Sequence, residues 1–245
     1  MAERTELTGK VVVVTGAGSG VGRATALALA AAGARPVLAG RTPGPLDETV
    51  ARIVGGGGRA LAVPTDVADE GQVAVLAERA VAAFGGIDAL VAAAGIGRFG
   101  SVEHYSLADW QATLATNLTG VFLASRAVLP ALRERGGGHI VAVGSGAGKQ
   151  GYADLAAYSA SKFGVIGFMQ ALAAEVGGAG IKVSVVNPGS ILTGFGGGDA
   201  AAKTAAAEAD PGRKFLLPED VAEAILMLLT QPARAWTQEM NLWPF

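Results

Sequence analysis

The 245-residue chain is 51% hydrophobic and only 16% charged, with 37 glycines, no cysteine and a net charge of −2. A composition this apolar excludes intrinsic disorder, and the missing cysteines exclude disulfides, thiolate metal sites and cysteine nucleophiles. With 19 Lys+Arg set against 21 Asp+Glu and no basic block, nucleic acid is not an expected partner.

Short apolar runs at Val11–Val14, Pro36–Ala39, Ala60–Val63, Ile87–Ala93, Ile140–Val143 and Ile181–Val186 read as strands. They do not alternate with polar residues, which predicts strands covered on both faces. Between them, Arg23–Ala32, Leu46–Val54, Glu70–Phe84, Leu107–Arg133 and Leu155–Val176 read as helices. Gly120 and Pro130 predict a bend or break near the end of the fourth. The repeated β-α-β order predicts a doubly wound α/β fold of the Rossmann type, a parallel sheet with helices on both faces. Gly55–Gly58 and Gly136–Gly138 read as turns rather than linkers, so one domain over residues 1–245 is expected. No charge-free apolar stretch approaches ~18 residues, so no transmembrane helix and no membrane partner are expected. Met1-Ala2-Glu3-Arg4 lacks the apolar core of a signal peptide, and a cytoplasmic location is the expectation. The shortage of polar residues to cover a monomer favours a homo-oligomer.

The turn after the first strand reads Thr15-Gly16-Ala17-Gly18-Ser19-Gly20-Val21-Gly22 and opens a helix. Backbone N–H groups at a helix N-terminus attract anions, and glycines let a pyrophosphate approach the chain. The glycine spacing is G-x-x-x-G-x-G, and no G-K-[ST] ending follows, which excludes a P-loop. At the end of the second strand a site for NAD wants an acid to hold the ribose 2′-OH. The sequence has Gly40-Arg41-Thr42 there instead. A guanidinium meets a 2′-phosphate with charge-assisted hydrogen bonds, so Arg41 favours NADP(H) over NAD(H). The missing acid also counts against an S-adenosylmethionine methyltransferase.

Ser145 closes the fifth strand, and Tyr158 and Lys162 follow on a predicted helix, one turn apart on the same face. A tyrosine is a poor acid-base catalyst at neutral pH unless a neighbouring cation lowers its pKa, which is the role this spacing assigns to Lys162. Ser145, at a strand end, is placed to hydrogen-bond a carbonyl oxygen. His104 and His139 lack ligand spacing, and no metal site is expected.

Together these motifs resemble the short-chain dehydrogenase/reductases, nearly end to end. The resemblance implies strand order 3-2-1-4-5-6-7 and a tyrosine mechanism with Asn117, Ser145, Tyr158 and Lys162. It extends the cofactor site from Gly16, Gly18, Ser19, Gly20, Val21, Gly22 and Arg41 to Asp66 at the adenine and Val67 beside it. It further implies Ala93 and Gly95, then Pro188, Gly189, Ile191 and Thr193 against the nicotinamide, with Tyr158 and Lys162 at its ribose. By resemblance Asn117 holds a water linking Lys162 to solvent. Two departures stand out: Asn-Asn-Ala-Gly appears as Ala92-Ala93-Ala94-Gly95, and Ser19 replaces the basic residue of many NADP-preferring members.

Substrate choice falls to the loops after strands four, five and six: Ile96–Gly100, Gly146–Tyr152, and a mobile lid near 191–211. Arg98, Lys149, Gln150, Tyr152 and Phe195 are the expected pocket walls, for a small-molecule ketone or alcohol or a 3-oxoacyl thioester. The family also implies a dimer or tetramer (homotetramer in many members), and Trp243 and Phe245 are expected to be buried, either within the subunit or against another. The alternative class is a catalytically silent protein of the same fold that only binds and senses a dinucleotide.

Overall fold

A computed structural model describes residues 5–197, 200–210, 212 and 214–245. Met1–Arg4, Gly198, Asp199, Pro211 and Arg213 therefore lie outside the described residues, and with them part of the expected lid. The strands are β1 (Val11–Thr15), β2 (Arg35–Gly40), β3 (Leu61–Pro64), β4 (Ala89–Ala92), β5 (Gly138–Val143), β6 (Ile181–Pro188) and β7 (Glu239–Leu242). All pair in parallel, in the order β3-β2-β1-β4-β5-β6-β7.

The apolar runs are explained by two cores, one on each face of the sheet. Val11 and Val13 point to the face covered by α3 (Glu70–Phe84), α5 (Gly120–Glu134) and α6 (Ala156–Val176). Val12 and Val14 point to the other, covered by α1 (Gly20–Ala31), α2 (Pro43–Gly55) and α8 (Pro218–Leu229). Alternate side chains leave a strand on opposite faces, so a strand covered on both sides is apolar wherever a side chain has no buried hydrogen-bond partner.

The apolar pattern located neither α8 nor β7, the seventh strand that the resemblance implies. The signals for α8 were present: Pro218 opens it, Glu219 and Asp220 stand in its first turn, and Val221, Ile225 and Leu228 form a buried stripe. Asp220 closes the start by accepting from Leu217 N at 2.7 Å.

The expected single helix over Leu107–Arg133 is two, α4 (Leu107–Leu114) and α5, joined by a π turn at Ala115–Thr119. The irregularity thus falls before Gly120, not near the end, and Pro130 is accommodated inside α5. The run Leu107–Glu134 does have the length and apolarity of a membrane span, contrary to the composition-based expectation. It is nevertheless interrupted by the π turn and lays the buried face of α5 on the sheet, as a core helix does.

His139 of β5 is a buried titratable group whose surroundings tie stability to pH. His139 Nε2–H donates to Ser184 Oγ at 2.8 Å, because that hydroxyl already donates to Thr237 O at 2.6 Å. Burial, with the Lys182 ammonium nearby, pushes the His139 pKa down to about 4. The unfolded chain takes up this proton near its ordinary pKa of ~6.5, whereas the fold resists it until about 4. Stability is therefore intact above the upper value and is lost as pH falls through the window between them. Chemical denaturation across that window should show a loss on the order of 2–3 kcal/mol that His139→Gln abolishes. An unchanged slope in the variant would show that other groups carry the acid sensitivity.

Candidate active site

The order of strands reverses between β1 and β4, and there the C-terminal strand ends open a crevice. Its cleft, of about 220 Å³, is lined by Gly16, Gly18, Ser19, Arg41, Asp66, Val67 and Gly95, together with Ala94, Ile96 and Thr116. A second cavity, between α6 and β6, holds about 40 Å³, room for little more than a water.

The floor of the cleft is backbone packed on backbone. Gly16 has φ 70°, and a Cβ there would lie 2.9 Å from Ala93 O and from Ala94 N. A Cβ on Gly22 would lie 2.3 Å from Gly16 O. Gly20, with φ 48°, faces Thr193, whose Cγ2 would stand 3.4 Å from a Cβ. Val21 is half-buried in the first turn of α1. That turn carries no acidic residue, and the Ser19 side chain does not cap it, so it offers unsatisfied N–H groups to an anion. Sequence reasoning missed Arg23, which donates to Gly18 O and faces Glu48 at 3.6 Å, tying the loop to α2.

Thr15 and Asn117 supply the polar support that Ala92-Ala93-Ala94-Gly95 lacks. Thr15 Oγ1 accepts from both Ala93 N and Ala94 N at 3.1 Å. Asn117 lies in the π turn, fully buried. Its Oδ1 accepts from Ile96 N at 2.8 Å, while Nδ2 donates to Ile96 O at 2.9 Å and to Ser161 Oγ at 3.2 Å. The side chain thus clamps the loop after β4 to α6, and is fully used in doing so.

Ser145, Tyr158 and Lys162 come together beyond this loop. The Ser145 hydroxyl hydrogen-bonds the Tyr158 phenol and also accepts from Ala147 N at 3.1 Å. Lys162 is buried, its Nζ donating to Val143 O at 2.7 Å and standing 5.7 Å from the Tyr158 ring centroid. Burial raises the Tyr158 pKa, and the hydrogen bond from Ser145 opposes this only in part. The expected lowering by Lys162 is therefore not what the structure holds: its ammonium is aimed at a backbone carbonyl, not at the phenol oxygen. Burial also lowers the Lys162 pKa, to about 8. Below that pH the pair is a neutral phenol beside an ammonium, the state suited to giving a proton.

A further polar chain supports Ser145 from behind. Ser145 N donates to Asn187 Oδ1 at 3.3 Å, and Asn187 Nδ2 donates to Glu239 Oε1 at 3.0 Å and to Asn241 Oδ1 at 3.2 Å. β7, unseen in the sequence, is thus joined to the strand end that presents Ser145. Pro188 ends β6, Gly189 N donates to Leu242 O at 2.8 Å, and Ile191 pairs with Leu216.

Several expected pocket walls are placed otherwise. Arg98 is turned onto Asp109 of α4, and Lys149 pairs with Glu239 at 2.7 Å, so neither cation faces the pocket unpaired. Gln150 and Tyr152 are exposed on the rim. Phe195 does reach Tyr158, with ring centroids 5.5 Å apart. Phe99, which sequence reasoning did not single out, stands edge-on to the same tyrosine at 6.1 Å. The expected lid contains a helix, α7 (Ala200–Ala209), because its alanines favour one. Lys203 of that helix donates to Thr193 O at 2.7 Å. The tail is not buried within the chain: Trp243 is 54% exposed and Phe245 fully so. Trp243 nonetheless lies against Gly146 and Gly189.

Comparison with known proteins places this geometry. The family described as short chain dehydrogenase matches residues 10–203. A D-threitol dehydrogenase of Mycolicibacterium smegmatis is 39% identical over 93% of this chain and 88% of its own length. A 3-oxoacyl-[acyl-carrier-protein] reductase of Synechocystis is 40% identical over 95% and 94%. The glycine betaine reductase ATRR of Emericella nidulans is 37% identical over 97% of this chain, which spans only 19% of that longer protein. A metagenomic short-chain oxidoreductase, solved in complex with NADP, superposes with a TM-score of 0.84 at 34% identity, covering 98% of this chain and 99% of the other. The chain belongs to the short-chain dehydrogenase family of oxidoreductases.

Proposed function

We propose that the chain is an NADP(H)-dependent carbonyl reductase, running in reverse as an alcohol dehydrogenase. The observation that carries this reading is the Ser145–Tyr158–Lys162 group, joined through Ser161, Asn117 and Ile96 to a glycine-floored cleft. The cleft fits a dinucleotide: a Cβ at Gly16 or Gly22 would fill its floor, and the start of α1 offers N–H groups for a pyrophosphate. Gly16, Gly18, Ser19, Gly20, Val21 and Gly22 would hold that pyrophosphate, and Asp66 and Val67 the adenine. Ala93, Gly95, Pro188, Gly189, Ile191 and Thr193 would border the nicotinamide end.

When bound, the reduced nicotinamide supplies the hydride. Ser145 orients the substrate carbonyl through its hydroxyl. Tyr158 gives its proton to the oxygen as the carbonyl carbon is reduced, leaving a phenolate that solvent reprotonates. Lys162, charged below about pH 8 and held on Val143 O, would reach the nicotinamide ribose when the cofactor is bound. Asn117 acts by fixing Ile96 and Ser161 around this group. A silent, sensing protein has no use for the full set. We place the protein in the cytosol, which its lack of cysteine suits, and assign it a dimer or tetramer that covers the exposed tail.

Arg41, exposed on the rim beside Ser19, carries the choice between NADPH and NADH. Arg41→Ala should raise the KM for NADPH about ten- to hundredfold and leave that for NADH within about twofold. The parallel test is oxidation of the two reduced cofactors by the purified protein over a panel of ketones. Equal loss with both cofactors would remove Arg41 from the 2′-phosphate, and oxidation of neither with any carbonyl would remove the enzyme reading.

A further inference from the structure

Tyr158 is enclosed by two phenylalanines that no step of the proposed reaction uses. Phe99, from the loop after β4, meets it edge-on at 87°, and Phe195, from the loop after β6, meets it at 58°. The two phenylalanines also meet each other, with centroids 6.5 Å apart. Both remain partly open to solvent, 47% for Phe99 and 36% for Phe195, so they face the mouth of the site and not the core.

The backbone beneath the rings is stripped to receive them. A Cβ on Gly97 would lie 2.6 Å from Phe195 Cε1 and 2.7 Å from Phe99 Cζ. A Cβ on Gly196, whose φ is 77°, would lie 2.3 Å from Phe99 Cε2. A ketone that reaches the Tyr158 hydroxyl therefore has these two rings as neighbours.

The charges around the mouth are already committed. Each of the three rim loops contributes one cation. Arg98 is paired with Asp109, Lys149 with Glu239, and Lys203 with the carbonyls of Thr193 and Phe195 at 2.7 and 3.4 Å. An anionic carrier arm would lose water here and gain one of these three cations only by breaking its pair, whereas a flat ring would meet Phe99 and Phe195 as aromatic partners.

We infer that Phe99 and Phe195 are the specificity-determining residues, and that they select a neutral, planar carbonyl compound, an aryl or cyclic ketone, over a phosphate-bearing thioester. The inference rests on the carbonyl-reductase reading. The experiment is steady-state turnover with NADPH on an aryl methyl ketone, an open-chain ketone of equal carbon number, acetoacetyl-coenzyme A and its neutral N-acetylcysteamine analogue. The aryl ketone should have the highest kcat/KM, and the neutral thioester should exceed the coenzyme A ester. Phe99→Leu and Phe195→Leu should each cut kcat/KM for the aryl ketone about three- to tenfold more than for the open-chain ketone, through KM. Phe99→Tyr, which keeps the ring, should retain the preference, and NADPH affinity followed by nicotinamide fluorescence should hold in all three. A preference for the coenzyme A ester, or equal losses for both ketones in the leucine variants, would overturn the inference while leaving the reductase reading intact. Absence of turnover with every carbonyl would remove that reading itself.

Discussion

Tyr158→Phe is expected to lower kcat for ketone reduction by about a thousandfold or more while NADPH affinity stays within about twofold. The substitution removes one oxygen. It leaves the ring, and with it the contacts to Phe99 and Phe195 that hold the two loops, in place. What is lost is the proton that must reach the developing alkoxide. Ser145 cannot replace it, because a serine hydroxyl has no nearby group positioned to reprotonate it, and its oxygen already accepts from Ala147 N. Lys162 is closer in charge but is held on Val143 O. Single-turnover reduction separates the outcomes: the variant should bind NADPH and then fail to oxidise it. Turnover within tenfold of the parent would mean that Tyr158 is not the acid, and would leave the buried ammonium as the next candidate.

The parts of this molecule legible in the sequence are those whose signals are local. The glycine loop, the apolar strands and the Tyr158–Lys162 spacing each depend on residues within a turn or two of one another. The strands were readable because a sheet covered on both faces is apolar at most positions, as the separate cores around Val13 and Val14 make plain. What escaped depends on contacts across the fold. β7 has only four residues, and its worth lies in Glu239 and Asn241 reaching Asn187, some fifty positions away. Arg98 and Lys149 looked like pocket cations because their acidic partners belong to other elements, Asp109 on α4 and Glu239 on β7. The direction of the tyrosine's pKa was missed for the same reason. Spacing puts a lysine near a phenol, but only the fold shows that the lysine is buried, the tyrosine partly so, and that the lysine is aimed elsewhere. Phe99 carried no motif at all, and its meeting with Phe195 brings together loops nearly a hundred residues apart.

Gly22→Ala is the sharpest test of the cleft, because the atom it adds has nowhere to go. Its Cβ would lie 2.3 Å from Gly16 O, 2.6 Å from Gly16 C and 3.0 Å from Ala17 N, all backbone atoms. A flexible side chain would turn aside, whereas a backbone carbonyl moves only with its peptide. That peptide is held from the far side, since Gly16 abuts Ala93 and Ala94, and these donate to Thr15. The first turn of α1 must then lift from the end of β1, which displaces the N–H groups offered to the pyrophosphate. Overpacking of this kind costs about 1–3 kcal/mol, so Tm should fall by several degrees, and NADPH affinity should drop about tenfold or more. Gly20→Ala supplies the contrast: there the nearest atom is the Thr193 methyl at 3.4 Å, and the positive φ rather than a clash sets the cost. It should bind NADPH more tightly than Gly22→Ala does. Fluorescence titration beside thermal unfolding distinguishes the two, and a Gly22→Ala protein with parental Tm and affinity would show that the loop is not held against β4 as described.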